Sequence, residues 1–561
     1  MNKIANSKNG GGHLQNNAFT LTELIGVVII LGIISLLAFP PILNAIRSTK
    51  GKISDASKEI LYNAVGLYVS DNINNYPKYN GNKYCVTVNE LVKGEYLPTK
   101  VYDSVTGNEI PQDSKIEINI ENDIYSYNLN NECKEYYKYG PLIKVLLGQY
   151  NESNTTGLVK DTTNENIYYY KGTNEEVSNN FLWYGGHQWR VIEFDTKENT
   201  LTLITQQPLT AIQPASSVWK NEETYNSSYI NTWLNEYFWN SLDSEIQKNI
   251  LDSTFNVGIY TNVNEITTIK KVGLLNENQY KRAGGINSFL NIDEYFWLGN
   301  RYDNSQTRIV SGLDYVNVPT TYNYGVRAII KINNIIITEG EGTLTSSYKS
   351  SIRVTNIDEI QVGEYINVPY NGNDNACGSD NMCSFRVVSK DNDSVKVILN
   401  GLLPNTSSYG STSTITTNHT IYTVLNNFAS NISNTYRYGQ NKTFYIGDYP
   451  SSSNYVSIKD ETLLTSVGLP SVGEIFCSND IDMNLIKNFV DKNTIENSNL
   501  YGNFWTMNRT NSTSVRVIGS SGGLGAETIT NNGYVRPVIF LKNNLEFTGG
   551  DGTAQNPYTL D

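Results

Sequence analysis

The chain has 561 residues and a formal net charge of −13, from 42 basic and 55 acidic side chains. That length exceeds one ordinary core and predicts about three or four folded units, and the acidic balance argues against nucleic acid as a partner. Three histidines and five cysteines, with no CxxC pair, argue against a zinc site; no metal or other cofactor is expected. Forty tyrosines, with abundant Asn, Thr, Ser and Gly, suit polar β-rich modules.

Residues 1–18 are polar, with Lys3, Lys8 and a glycine run, and lack the apolar stretch of a secretory signal. The apolar run follows: AFTLTELIGVVIILGIISLLAFPPI, residues 18–42, in which Glu23 is the one charged residue. As a helix, Phe19 to Ile46 would extend roughly 42 Å at 1.5 Å per residue, with a kink at Pro40 and Pro41. This predicts a transmembrane helix over 19–47 and a single-pass cytoplasmic membrane protein. A carboxylate buried there persists only with a partner.

The string AFTLTELIGVVIILGIISLLAFP resembles the N-terminus of type IV prepilins and pseudopilins. The resemblance implies a leader of residues 1–18, cut between Ala18 and Phe19 by a prepilin peptidase. It also implies N-methylation of Phe19, and a Glu23 that meets the Phe19 ammonium of a neighbouring pilin subunit during assembly. Glycine usually precedes the cut in that family; here the residue is Ala18.

Within 48–137, Ile53, Ala56, Ile60, Ala64 and Leu67 recur at helical spacing, so a helix should continue to about Ser70. CVTVNELVKGEYLP (85–98) reads as a short strand or turn and then a helix ending near Gly94. KIEINIENDIYSY (115–127) alternates like a hairpin that turns near Asn122 and Asp123. Helix then hairpin resembles a pilin head. Cys85 and Cys133 lie in this head, and Cys377 and Cys383 close the loop CGSDNMC. Export would permit both disulfides; free thiols are the alternative, and Cys477 reads as a buried thiol.

After a linker over 138–155 the chain repeats itself, in copies spanning 156–350 and 351–561. GHQWRVIEFDTKENTLTLIT (186–205) parallels CSFRVVSKDNDSVKVIL (383–399), each a strand, polar turn and strand. Helix-like stretches follow at 229–243 and 421–432. EYFWLGNRYDNSQTRIVSG (294–312) matches GNFWTMNRTNSTSVRVIGS (502–520), and YGVRAIIKINNIIITEGEGTLTSSY (324–348) matches YVRPVIFLKNNLEFTGGDGTAQNPY (534–558). GVRAIIKI and YVRPVIFL suggest central strands, and EGEGT and GDGT suggest tight turns that need glycine. Duplicated modules give repeated binding faces and avidity. These copies resemble repeats on Firmicutes surface proteins and, more distantly, the C-type-lectin fold and the formylglycine-generating enzyme. The EPN, QPD and WND strings of calcium-dependent sugar sites are absent.

Candidate binding residues are Trp297, Arg301 and Tyr302 in the first copy and Trp505 and Arg509 in the second, beside Asn300 and Asn508. An aromatic next to Arg and Asn suits a sugar face or a protein hot spot; the competing reading places both tryptophans in the core. Trp189, which aligns with Phe385, fits a core aromatic, and Arg327 and Arg536 fit buried structural positions. Lys270, Lys271, Lys281 and Arg282 read as a solvated basic face. His187 and His419 occupy non-equivalent places, and no GxSxG or HExxH occurs.

The sequence therefore predicts an α+β chain: a long N-terminal transmembrane helix, a small pilin-type sheet head and two β-rich mixed modules that resemble the C-type-lectin fold. It reads as a minor or tip pilin-like subunit of a Gram-positive bacterium, displayed on an extracellular pilus or cell surface. No catalytic residues are assigned. Expected partners are the prepilin peptidase, other pilin subunits, the membrane and a surface ligand, glycan or protein. The alternatives are a membrane-tethered enzyme acting on glycans and a pseudopilin of a DNA-uptake or secretion system.

Overall fold

Strand-type alternation outweighs helical stripes along this chain, and the computed structural model follows that balance, with 37% strand and 18% helix. It describes Ile25 and residues 53–312, 314–322, 324–350, 356–372, 376–377, 380–447, 461–472, 504–519 and 524–560. The chain divides into two compact units, Met1–Tyr136 and Tyr137–Asp561.

In the first unit, helix α1 (Asp55–Asp71) starts where Ser54 caps the Ser57 N–H. Its buried stripe is Leu61, Ala64, Val65 and Val69. Ile60 and Leu67, read from the sequence as part of the buried face, are 53% and 63% exposed; the apolar stripe is displaced about one residue. Strand β1 (Lys83–Thr87) runs into helix α2 (Val88–Lys93) through a capping box between Thr87 and Glu90, with Gly94 at the C-cap. Strands β2 (Lys115–Glu121) and β3 (Ile124–Leu129) form an antiparallel hairpin, and the sheet order is β1-β2-β3. Asn122 and Asp123 take φ of 49° and 61°, the left-handed pair of a tight hairpin turn. A Cys85–Cys133 disulfide joins β1 to the segment after β3.

The expected transmembrane helix and single-pass membrane topology are corrected here. Among the described residues no helix is long and apolar enough to cross a membrane. The 17-residue α1 carries Asp55, Lys58, Glu59 and Asp71 and buries only one stripe, the pattern of a helix packed on a sheet. Residues 19–47, apart from Ile25, lie outside the described residues.

The second unit begins at Tyr137, one residue before the stretch read as a linker. Helix α3 (Leu142–Leu147) buries Leu142, Ile143, Val145 and Leu146, so 138–155 contributes to the core. The first module's main sheet contains β4 (Phe181–Tyr184), β5 (His187–Asp195) and β6 (Thr200–Thr205). Its smaller sheet contains β7 (Thr210–Ile212), β8 (Tyr295–Arg301), β9 (Gln306–Ser311), β10 (Asp314–Pro319) and β11 (Tyr324–Val326), in the order β7-β11-β8-β9-β10. Strand β12 (Ala328–Asn333) returns to the main sheet beside β6.

The second module repeats this plan. Its main sheet holds β13 (Tyr365–Pro369), β14 (Met382–Lys390) and β15 (Ser394–Leu399). Strand β16 (Ser407–Ser408) and helix α4 (Thr420–Ser430) follow. The meander β17 (Phe504–Asn511), β18 (Ser514–Ile518) and β19 (Leu524–Thr528) leads to β20 (Asn532–Gly533), which pairs β16 as β11 pairs β7. Strand β21 (Val538–Lys542) lies beside β15 as β12 lies beside β6. The two glycine turns superpose in conformation: Gly340 and Gly342 have φ of 86° and 72°, Gly550 and Gly552 have 87° and 75°. A Cβ at Gly340 would lie 2.0 Å from the Ser347 carbonyl, and one at Gly550 1.9 Å from that of Pro557, so both turns require glycine.

The buried apolar residues of both modules form one contiguous core. At the seam, a Cβ on Gly186 would lie 2.1 Å from the Val362 carbonyl, and the Arg386 guanidinium donates to the Gly186 carbonyl at 3.4 Å.

Candidate functional site

The first module holds a cleft of about 530 Å³. Four segments far apart in sequence line it: Asn174 to Phe181, Gln206 and Gln207 just past β6, Asn291 to Glu294 before β8, and Thr343 to Thr345. Two buried arginines fix these walls. Arg190, on β5, donates to Asn174 Oδ1 (2.5 Å), Asn180 Oδ1 (2.8 Å), the Phe289 carbonyl (3.3 Å) and the Val177 carbonyl. Its guanidinium lies 4.1 Å from the Phe181 ring centre and 4.7 Å from that of Phe289, a cation–π arrangement that offsets its desolvation. Arg327, just before β12, donates to the carbonyls of Thr205 (2.8 Å) and Leu290 (2.5 Å), tying the end of β6 to the loop before β8.

Burial pushes the Arg190 pKa down to about 9, with the nearby Arg327 charge adding to the effect. Burial does the same to Arg327, also to about 9, opposed by Glu294 on the cleft wall. Both stay charged at pH 7, so rigid cations underlie a wall that carries Asp293 and Glu294. Gln188 donates to the Leu344 carbonyl (2.7 Å) and Ser347 Oγ (2.9 Å), and Tyr280 donates to Asn291 Oδ1 (2.7 Å). Against this ordered wall, Gln206 Oε1 and Gln207 Oε1 are buried with no donor among the described residues, and Arg327 Nη2 is buried with no acceptor. A cleft whose wall carries the orphaned acceptors of Gln206 and Gln207 suits hydrogen-bond donors such as hydroxyls.

The five candidate binding residues lie elsewhere, in a duplicated scaffold. Trp297 and Trp505 are 1% and 0% exposed. Their indoles donate to the carbonyls of Ile212 (2.7 Å) and Ser407 (2.9 Å). Arg301 reaches both carboxylate oxygens of Glu265 at 3.0 Å, and Arg509 reaches those of Glu461 at 2.6 and 3.1 Å. Asn300 accepts from the Glu277 N–H (2.5 Å) and donates to Gly258; Asn508 accepts from the Val472 N–H (2.6 Å) and donates to Gly447. Tyr302 stacks on Tyr260 at 5.0 Å. The arginine forks knit each small sheet to the hairpin beside it, and none of the five residues lines the cleft that Gln206 and Gln207 border.

Other sequence candidates also have structural partners. Lys271 pairs with Asp252, Lys281 with Glu277, and Arg282 with Asp161 and Glu193, which neutralises most of the basic group. His187 is packed against Trp189 and Phe238. His419 bonds Thr412 Oγ1 at 2.8 Å, and burial lowers its pKa. Cys377 is bonded to Cys383. Ala18, Phe19, Glu23 and Cys477 lie outside the described residues.

A family model described as a domain of unknown function, DUF6273, matches residues 199–334. The match spans β6 through β12, and so includes Gln206, Gln207 and the 291–294 wall of the cleft. No curated protein and no solved structure matches the chain.

The cleft has no signature of residue type at short spacing along the chain. Gln206 and Gln207 carried one usable signal, two adjacent amides at the end of the apolar strand TLTLIT. Their partners come from segments more than 80 residues away on one side and 30 on the other, roughly.

Proposed function

We propose that this chain is a minor or tip type IV pilin-like subunit that acts by binding rather than catalysis. A prepilin peptidase cuts it before Phe19, the new terminus is N-methylated, and Glu23 pairs with that terminus on neighbouring subunits. Its tandem modules serve as the binding part, and the first takes a hydroxyl-rich glycan in the cleft above Arg190 and Arg327. The observation that carries the binding role is the pair of orphaned amide oxygens on the cleft's rigid walls: sugar hydroxyls supply the donors that Gln206 and Gln207 lack. The prepilin-like string supports the assembly role, and the Cys85–Cys133 bridge fits an oxidising compartment.

Two experiments test the two halves. Mass spectrometry of the N-terminal peptide should find a methylated Phe19; an intact Met1 terminus overturns the pilin role. A screen of neutral oligosaccharides against the full chain should give hits that Gln206→Ala/Gln207→Ala abolishes. Hits that survive in the double variant, or no hits at all, overturn the glycan cleft.

A further inference from the structure

A second cavity, of about 380 Å³, opens at the seam between the two modules. The first module supplies Trp183 and Tyr184 at the end of β4, Ile246 and Asn249, and Lys349; the second supplies Glu364, Asp551 and Tyr558. Its polar groups are firmly placed. The Lys349 ammonium is held by the Asp551 carboxylate and by that residue's backbone carbonyl (3.2 Å). The Tyr184 hydroxyl accepts from Asn249 (3.1 Å). Glu245, on the rim, pairs with Lys248 at 2.5 Å.

Glu364 differs from these. It is 6% exposed, accepts the Gln361 N–H at 2.8 Å, and makes no ion pair among the described residues. Aromatic surface from Trp183, Tyr184 and Tyr558 shares the cavity with it. A buried carboxyl in no ion pair among the described residues, next to aromatic rings, is an environment in which an ammonium gains both charge pairing and cation–π attraction. The volume suits a small ligand, and the apolar wall suits a short hydrocarbon stem.

We infer that the seam cavity is a second binding site, taking a primary ammonium on a short apolar stem with Glu364 as its counter-ion. The inference is independent of the glycan cleft. It also gives the seam a reason to keep a buried acid where an apolar residue would pack at lower cost. Burial raises the Glu364 pKa to about 7, opposed by its Gln361 hydrogen bond and by the Lys349 and Lys390 charges. An incoming ammonium would hold Glu364 ionised and release its proton, so affinity should rise between pH 6 and 8. The other titratable groups facing it are Asp551, Tyr558 and Glu245 in the cavity and Glu339, which acts on Lys349.

The test titrates the full chain with n-hexylammonium, n-hexanol and n-hexanoate, read by tryptophan fluorescence and by calorimetry in two buffers of different ionisation heat. Hexylammonium should bind at least ~10-fold more tightly than hexanol, with proton release and with affinity rising from pH 6 to 8. Glu364→Gln should remove that preference and the proton release, while Gln206→Ala/Gln207→Ala should leave both intact. The wild-type pH profile stands on its own if the Glu364 variant fails to fold. Equal binding of hexanol, a flat profile, or full affinity in a folded Glu364→Gln protein overturns the inference. Spermidine and a lysine-bearing tripeptide, as competitors, separate a free polyamine from a protein side chain as the natural source; failure of both to compete also overturns it.

Discussion

Where the first module has Glu277, the second has Val472: each donates its backbone N–H to an equivalent buried asparagine, Asn300 or Asn508. The backbone role is the same and the side-chain role is not. Glu277 pairs with Arg308 at 3.0 Å and Lys281 at 2.8 Å, with the Arg308 guanidinium 4.7 Å from the Tyr260 ring centre and 4.5 Å from that of Tyr315; Val472 is simply buried. Similarly, the Gln206–Gln207 step past β6 becomes Asn400–Gly401 past β15. On the adjoining strands, Thr202 opposite Lys331 becomes Lys396 opposite Phe540. What recurs in both modules is the set of groups that satisfy backbone atoms at element ends: the indole of Trp297 or Trp505, the Arg301–Glu265 or Arg509–Glu461 fork, Arg327 or Arg536, and the paired glycines. A duplicated fold keeps the side chains that complete its hydrogen bonding and lets the others diverge into specific sites.

The comparison breaks most sharply at the glycine turns. Gly340→Ala and Gly550→Ala should each cost roughly 2–4 kcal/mol, because each places a Cβ at positive φ against a backbone carbonyl. Chemical denaturation should return similar losses for the two; a large loss in only one module would refute the equivalence of the turns. Next in size are the arginine forks. Double-mutant cycles of Arg301→Ala with Glu265→Gln, and of Arg509→Ala with Glu461→Gln, should give coupling of about 1–3 kcal/mol each, and unequal coupling would show that one fork has drifted toward another task.

Trp297→Phe and Trp505→Phe should each lose about 1–2 kcal/mol by leaving the Ile212 or Ser407 carbonyl without its donor. The smallest effect, about 1 kcal/mol, is a gain. Lys396→Thr, which imports the first module's residue, should stabilise the chain at pH 7, since cation–π contact with Phe444 and Phe540 offsets only part of the ammonium's burial cost. Burial pushes the Lys396 pKa down to about 7. The folded state therefore sheds a proton that the unfolded chain keeps up to about pH 10.5, so wild-type stability should rise between pH 7 and 10 relative to the variant. Thermal melts of both proteins across that range check the sign.

Much of the first unit was legible because its signals are local. The Asn122–Asp123 turn, the strand-to-helix step capped by Thr87 and Glu90, and the stop at Gly94 each depend on residues within four positions of one another. The helical stripe of α1 was misplaced by one residue because Ile60 and Leu67 are as apolar as the Leu61 and Val65 that face the sheet, and only the sheet decides which side is covered. The apolar run that suggested a membrane helix lies, apart from Ile25, outside the described residues, and no described helix is long and apolar enough to cross a membrane.

The repeat was visible in the sequence because matched strings mark matched strands, and the positive-φ glycines of EGEGT and GDGT follow from backbone sterics that any reader of the sequence can apply. The roles of Trp297, Arg301, Trp505 and Arg509 were not visible. An aromatic beside an arginine looks the same whether it meets a ligand or a carbonyl oxygen some 85 or 98 residues away. Sequence alone determined the tandem plan, the turn glycines and the strand edges, since these are set by local backbone preference and periodicity. Only the tertiary structure decided that four distant loops close a cleft over Arg190 and Arg327 and that the seam encloses Glu364, because burial and hydrogen-bond satisfaction are properties of what surrounds a residue, not of the residue itself.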